Sequence, residues 1–192
     1  YVIEKGIAAP ELLSHVLVSK YADHLPLYRQ RQIFLRAGVI CPDQPYPLRS
    51  NASQIGRCGV ELECLTDALR KVILQQAVIH ADETPVTIMR MDDKDKKPKK
   101  GYVWAYATTQ YNPIQAVIYD FQDSRSGEHA EAFLKDWQGH LVCDDYSGYK
   151  ARFRSGKVIE VGCMAHARRK FHELHVTGKS QIAEQALFLI EK

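Results

Sequence analysis

Two carboxylates stand where apolar stretches run out. Asp82 follows the apolar segment AVIHA (77–81), within His80-Ala-Asp-Glu-Thr-Pro85, and Asp144 follows Leu141-Val-Cys143 within LVCDDYSGY. If the two apolar segments are neighbouring strands, both acids emerge at one edge of a sheet. Paired carboxylates suit a hard divalent cation such as Mg²⁺ or Mn²⁺; Mg²⁺ takes one or two of them and completes its octahedron with water and substrate phosphate. Two such ions ~4 Å apart can activate a water or a 3′-hydroxyl and stabilise the leaving oxygen of a phosphodiester. Either acid alone is an ordinary strand-end or cap residue. Their joint placement is what points to chemistry.

A second group of candidates follows Asp144. Cys163 and His166 open a helical segment, and His172 and His175 extend the series to C-x2-H-x5-H-x2-H. Six residues separate His166 from His172, about 600° around a helix, so the pattern does not present four zinc ligands on one side. Cys163 reads as core, and His166 as a polar residue at a helix start that can donate to a phosphate or a carboxylate near Asp144. Arg168, Arg169 and Lys170 lie one turn on. Arg grips a phosphate with two prongs and Lys acts as a point charge, so these side chains, with His166, are the candidate contacts to a DNA backbone. They would position a duplex without reading it. Between Lys150 and Lys170 seven basic residues face one acid, Glu160, which suits either a phosphate track or a solvated face. Tyr146 and Tyr149 could stack on a splayed base, but packing of a short helix on the sheet is the simpler role. Trp104 and Trp137 read as core.

The elements that must position these residues follow from periodicity. Pro10 and Pro26 open two helices, the second ending near Gly38, and a third carries the stripe Leu62, Leu65, Leu69, Val72, Ile73. The prolines between Val39 and Arg57 predict a loop. From Gln76 the pattern becomes extended, with strands expected at 77–81, 86–91, 102–108 and 114–121 in antiparallel hairpins. The charged run at 92–100 reads as an exposed hairpin loop. After Phe121 helix and strand alternate: helix 126–137, strand 140–144, short helix 147–153, strand 157–161, helix 164–175 and a further helix to Lys192. Alternation implies parallel strands with covering helices. The expected architecture is α/β: residues 1–75 a helical N-terminal segment, 76–175 a mixed sheet with flanking helices, antiparallel then parallel, and 176–192 the start of a helical insertion. An acid on the first strand, and another on the first strand after the first crossover helix, match a ribonuclease-H-like core.

Composition excludes several classes. The 192 residues are 45% hydrophobic and 26% charged, with 8 Pro and 11 Gly, which fits an ordinary globular chain and not disorder, collagen or a coiled coil. No apolar run approaches the ~20 residues of a membrane span. A net charge of +3 does not by itself mark a nucleic-acid binder. Five cysteines with irregular spacing argue for a reducing compartment, by default the cytoplasm. The chain begins with Tyr1, without a leader-like segment, and is expected to be an internal fragment.

The stretches HADETPV (80–86), DSRSGEHAEAFL (123–134), CDDYSGY (143–149) and GCMAHARRKFHEL (162–174) resemble the central region of the DDE transposases of the insertion-sequence 66 family. LLSHVLVSKYADHLPLYRQRQIF (12–34) is similar to the helices that precede the catalytic core there. The resemblance implies a transposase that cuts transposon ends and joins the freed 3′-hydroxyls to target DNA, working as a homo-oligomer on DNA with Mg²⁺ or Mn²⁺. It places the first family Asp on Asp82 and the second on Asp144, with Asp145 one position away. The family's third acid, a Glu, lies beyond a helical insertion; Glu173, Glu184 and Glu191 are present, but none is a clear match. Two alternatives share the residues: a ribonuclease-H-like nuclease or resolvase, and a catalytically inert, decayed fragment that binds DNA or a partner protomer.

Overall fold

The computed structural model describes residues 8–38, 47–88 and 98–191, with side chains from 53 onward in the second of these stretches. The chain divides into two compact units, Tyr1–Asp67 and Ala68–Lys192. The first is helical: α1 (Pro10–Tyr21), α2 (Leu27–Arg36) and α3 (Pro47–Glu61). Pro10 takes the first helical position of α1, where its missing N–H leaves no bond unmade. Leu13 of α1 packs with Cys58 of α3. Gln30 of α2 is buried and donates to the carbonyls of Val16 and Leu25 at 3.2 and 2.9 Å, tying α2 to α1. Helix α3 occupies much of the stretch where prolines predict a loop. Pro47 starts this helix instead of breaking it, which a proline in the first turn is able to do. Residues 39–46, the rest of that predicted loop, lie outside the described residues.

Helix α4 (Glu63–Leu74) leads into the sheet, but its predicted stripe is only partly covered: Ile73 is fully buried whereas Leu62 and Leu65 are exposed. The sheet comprises β1 (Val78–Ile88), β2 (Lys99–Ala107), β3 (Val117–Gln122), β4 (Gly139–Cys143) and β5 (Val158–Gly162), in the order β3-β2-β1-β4-β5. β1, β2 and β3 pair antiparallel, and β1–β4 and β4–β5 pair parallel. The helices between and after the strands are α5 (Gly127–Phe133), a 3₁₀ turn at Ser147–Tyr149, α6 (Lys150–Arg154), α7 (Met164–Gly178) and α8 (Gln181–Ile190). The mixed sheet with flanking helices is thus as expected.

The two strands expected at 77–81 and 86–91 are one. β1 runs without a break from Val78 through Pro85 to Ile88, paired residue for residue with β2 from His80 onward; Met89 to Met91 and the charged run as far as residue 97 lie outside the described residues. Pro85 is tolerated for a reason visible in the ladder. The Ala77 carbonyl accepts from His140 N, so odd-numbered residues turn their backbone polar groups toward β4. The β1–β4 pairing stops at His80–Val142. At position 85 that edge has no β4 partner, and no N–H is needed there.

One face of the sheet is covered. Ile79, Ala81, Trp104, Tyr106, Ile118, Leu141, Cys143 and Val158 meet Ile73 of α4, Ala130 and Phe133 of α5, and Leu134, Trp137 and Tyr149 in one core. Trp104, Tyr106 and Tyr149 have no exposed surface, and Tyr106 stacks on Phe133 at 3.7 Å. Burying side chains of this size contributes roughly 1.5–3 kcal/mol each. The other face is open, with Tyr119, Phe121 and Ile159 exposed on it. No helix among the described residues is long and apolar enough to cross a membrane.

Candidate active site

Side chains alternate across a strand, and that alternation sorts β1 sharply. Ile79, Ala81 and Glu83 are buried on the covered face, whereas His80, Asp82 and Thr84 are exposed on the open one. β4 alternates likewise, with Leu141 and Cys143 buried. The last β1–β4 pair is His80–Val142; two residues further on stand Asp82 and Asp144. Asp82 lies on the open face of β1, and Asp144 is half-buried one residue past the end of β4, the parallel neighbour of β1. Asp82 therefore lies within β1 and not at its end, as the sequence had suggested.

Each carboxylate is oriented by one backbone N–H. Asp82 Oδ1 accepts from Glu83 N at 3.0 Å, and Asp144 Oδ1 accepts from Tyr146 N at 3.0 Å. The latter is an Asx turn, in which the side chain takes the N–H two residues on and bends the chain off the strand. Asp82 Oδ1 also lies 3.9 Å from His166 Nε2, and its side chain is half exposed. The second oxygen of each acid makes no hydrogen bond with the described residues. Asp145 is directed elsewhere: it pairs with Lys150 at 2.6 Å, and Lys150 in turn pairs with Glu160 at 2.7 Å. The hydrogen bond from Lys150 holds the exposed Asp145 carboxyl below its ordinary range. Burial, with the charges of Glu160 and Asp144, pushes the Cys143 thiol up to about 12, so it stays protonated beside the acids at neutral pH.

Directly beneath Asp82, on the covered face, is a group the sequence analysis left unassigned. The Glu83 side chain has no exposed surface. Its Oε1 accepts from Arg125 Nε at 3.0 Å and from Arg125 Nη2, and its Oε2 accepts from the Tyr149 hydroxyl at 2.9 Å. The Arg125 guanidinium lies 3.9 Å from the centre of the Tyr146 ring, and the Tyr146 hydroxyl donates to the Arg125 carbonyl. Burial is the largest influence on the Glu83 carboxyl and raises its pKa; the hydrogen bonds from Arg125 and Tyr149 work against it, and the charge of Asp144 adds to it. The Arg125 pKa rises through its bond to Glu83. The signal in the sequence was the strand period: once Ile79 and Ala81 face the core, so must Glu83, and a buried acid needs a cation or a donor. Tyr149 is fully buried against Trp104 and Tyr146, the packing role.

Helix α7 separates the basic candidates. His166, Arg169 and Lys170 stand at i, i+3 and i+4 and share a side, the one His166 turns toward Asp82. Arg168 points away and pairs with Glu191 at the end of α8. Lys170 lies 3.6 Å from Glu173. Cys163 precedes α7 and is half-buried, and His175 is half-buried farther along. Glu173, Glu184 and Glu191 are all exposed. Among the described residues no three His, Cys, Asp or Glu side chains stand close enough to hold one metal ion together. A pair of carboxylates with water is still the donor set Mg²⁺ accepts, and Asp82 and Asp144 each keep one oxygen without a hydrogen bond to the described residues, which fits that need.

The described residues from 68 onward form a mixed α/β arrangement, a five-stranded sheet flanked by helices. The family model described as "Transposase IS66 family" matches residues 5–192, and the chain belongs to that family. It is 37% identical over 199 residues to protein y4qI of Sinorhizobium fredii, covering 97% of this chain and 35% of that protein. To y4jD of the same organism it is 36% identical, covering 98% of this chain and 38% of that one. Both relatives are named only as uncharacterized proteins. The chain spans about a third of their length. No solved structure matches it.

Proposed function

We propose that this chain is the part of an IS66-family transposase that carries the first two acids of a metal-dependent, DDE-type site for DNA strand cleavage and strand transfer. The observation that supports this reading is that Asp82 and Asp144 each stand two residues beyond the last β1–β4 pair, one within β1 and the other just past the end of its parallel neighbour β4. The sheet order, with three antiparallel strands followed by two parallel ones, supports a ribonuclease-H-like core. Asp82 and Asp144 would hold Mg²⁺ or Mn²⁺. Asp145 is the poorer choice, because Lys150 already occupies its carboxylate. When bound, the ion supplies Lewis-acid activation of a water or a 3′-hydroxyl and stabilises the leaving oxygen.

The chain's own residues do the rest. The backbone N–H groups of Glu83 and Tyr146 fix one oxygen of each acid and leave the other free to take a cation. Arg169 and Lys170 present positive charge on the side of α7 that His166 turns toward Asp82 and, with His166 as a hydrogen-bond donor, would seat the phosphate backbone of transposon-end and target DNA; Arg168 would contribute less. Paired-end cleavage calls for a homo-oligomer on DNA. The absence of a third ligating side chain among the described residues favours a second reading for the isolated chain, a fragment that binds DNA or a partner protomer without chemistry.

Mn²⁺ titration by calorimetry separates the two. Binding by the wild-type chain that is lost in both Asp82→Asn and Asp144→Asn supports the metal pair. Binding that survives either substitution, or none in the wild type, sinks that assignment.

A further inference from the structure

Backbone pairing does not hold the two acids together. The β1–β4 ladder ends at His80–Val142, and after Cys143 the chain leaves the sheet, with its last strand bond made to β5 through Cys163 N and Cys143 O at 2.9 Å. Something else must fix residues 144–149 against β1. The buried group under the sheet does this by two routes. Tyr149, at the end of the 3₁₀ turn, returns beneath the sheet and donates to Glu83 Oε2. Arg125 donates to Glu83 Oε1 and lies over Tyr146, whose hydroxyl holds the Arg125 carbonyl and whose N–H holds Asp144 Oδ1. At the other end, Glu83 N holds Asp82 Oδ1.

We propose that Glu83 is a positioning residue that sets the separation of Asp82 and Asp144, acting through Tyr149 and through Arg125–Tyr146 from the covered face of the sheet. This rests on the reading of the two acids as a metal pair. A carboxylate suits the position because it offers two acceptor oxygens, one for each route. Glutamine keeps both routes if the Tyr149 hydroxyl turns from donor to acceptor; alanine keeps neither. Adjacent positions of one strand thus divide the labour, Asp82 to the open face and Glu83 to the hold beneath it.

The test uses the full chain as wild type, Tyr149→Phe, Glu83→Ala and Glu83→Gln, with two readouts. The first is Mn²⁺ affinity by calorimetry, taken per folded molecule. The second is amide hydrogen exchange at Tyr146, with the β2 amides as the control for global stability. In Tyr149→Phe we expect unchanged β2 protection, faster exchange at Tyr146 and Mn²⁺ binding weakened roughly tenfold, the lower end of what loss of an outer-shell partner costs. Glu83→Ala should weaken binding further, and Glu83→Gln should recover most of it. Wild-type protection at Tyr146 in Tyr149→Phe overturns the inference, as does a loss of protection shared equally by β2, which would mark a merely structural role. Failure of the wild-type chain to bind Mn²⁺ defeats the metal reading by itself; the exchange arm then still decides whether Glu83 holds the loop.

Discussion

Replacing Arg125 by alanine leaves the Glu83 carboxylate buried with Tyr149 as its remaining side-chain donor, and the cost can be set from the geometry. Removing one partner of a buried ion pair costs about 3–5 kcal/mol. The Arg125 side chain is 43% exposed, so water screens part of the interaction and the lower end applies, with the contact on Tyr146 adding roughly 0.5–1 kcal/mol. A loss of about 3 kcal/mol results. Glu83→Gln should cost ~1 kcal/mol or less, because the amide oxygen still accepts from Arg125, the half-exposed guanidinium is able to hydrate, and no unpaired charge is left buried. Urea unfolding followed by tryptophan fluorescence measures both, since the two tryptophans, Trp104 and Trp137, lie in the sheet core. The pH dependence has a definite sign. Burial already raises the Glu83 carboxyl above its ordinary 4.5, and Arg125 is one of the influences lowering it; without Arg125 it rises further. The folded state then holds a proton that the unfolded state has released. Stability therefore falls as pH rises from 4.5 through the folded pKa, and the Arg125→Ala deficit should be smallest near pH 4.5 and largest at neutral pH. Equal costs for the two variants, or a deficit that ignores pH, would refute the reasoning.

Two further expectations follow from the same frame. Gly139, at φ +153°, has room for no side chain: a Cβ there would lie 2.5 Å from the Ala77 carbonyl oxygen and 2.7 Å from Trp137 Cζ2. Gly139→Ala should therefore push β4 off β1 where their pairing begins and cost about 2–4 kcal/mol in the same unfolding assay; a loss under about 0.5 kcal/mol would contradict the close approach. On α7, Arg169→Ala should lower the slope of log affinity for duplex DNA against log salt by about 0.9, the value of one phosphate contact, whereas Arg168→Ala should lower it less because Glu191 already engages that guanidinium. Identical slopes in both variants would mean that the side of α7 facing Asp82 is not the one that meets the backbone.

Much of this fold is readable from spacing, and the places where it is not have physical causes. The β–α alternation after Phe121 and the helical pairing of α1 and α2 show in the periodicity because each element buries one face. Proline misled twice, at Pro85 and Pro47, for a common reason. It blocks a structure only where an N–H is needed, and neither the unpaired edge of β1 nor the first turn of α3 needs one. Which edge of β1 is unpaired depends on where β4 stops, a tertiary fact that no local pattern contains. Likewise, Asp144 and Asp145 are one position apart in sequence, and what separates their surroundings is local geometry, the Tyr146 N–H on Asp144 and Lys150, five residues on, against Asp145.

Asp82 and Glu83 show what such limits conceal. Both are acids at consecutive positions, and a search for metal ligands takes the first and passes over the second. The period of two gives them opposite environments: one is half exposed beside His166, the other is sealed under Trp104 and Tyr149 with an arginine. A buried ion pair is weak evidence for stability, since well-packed apolar residues often serve as well. What such residues lack is direction. They cannot hold Tyr149 and Arg125 at fixed angles, and through these side chains the loop that carries Asp144 is tied to the strand that carries Asp82. An acid at position 83 is therefore better explained by the geometry it imposes on its neighbours than by the free energy it adds.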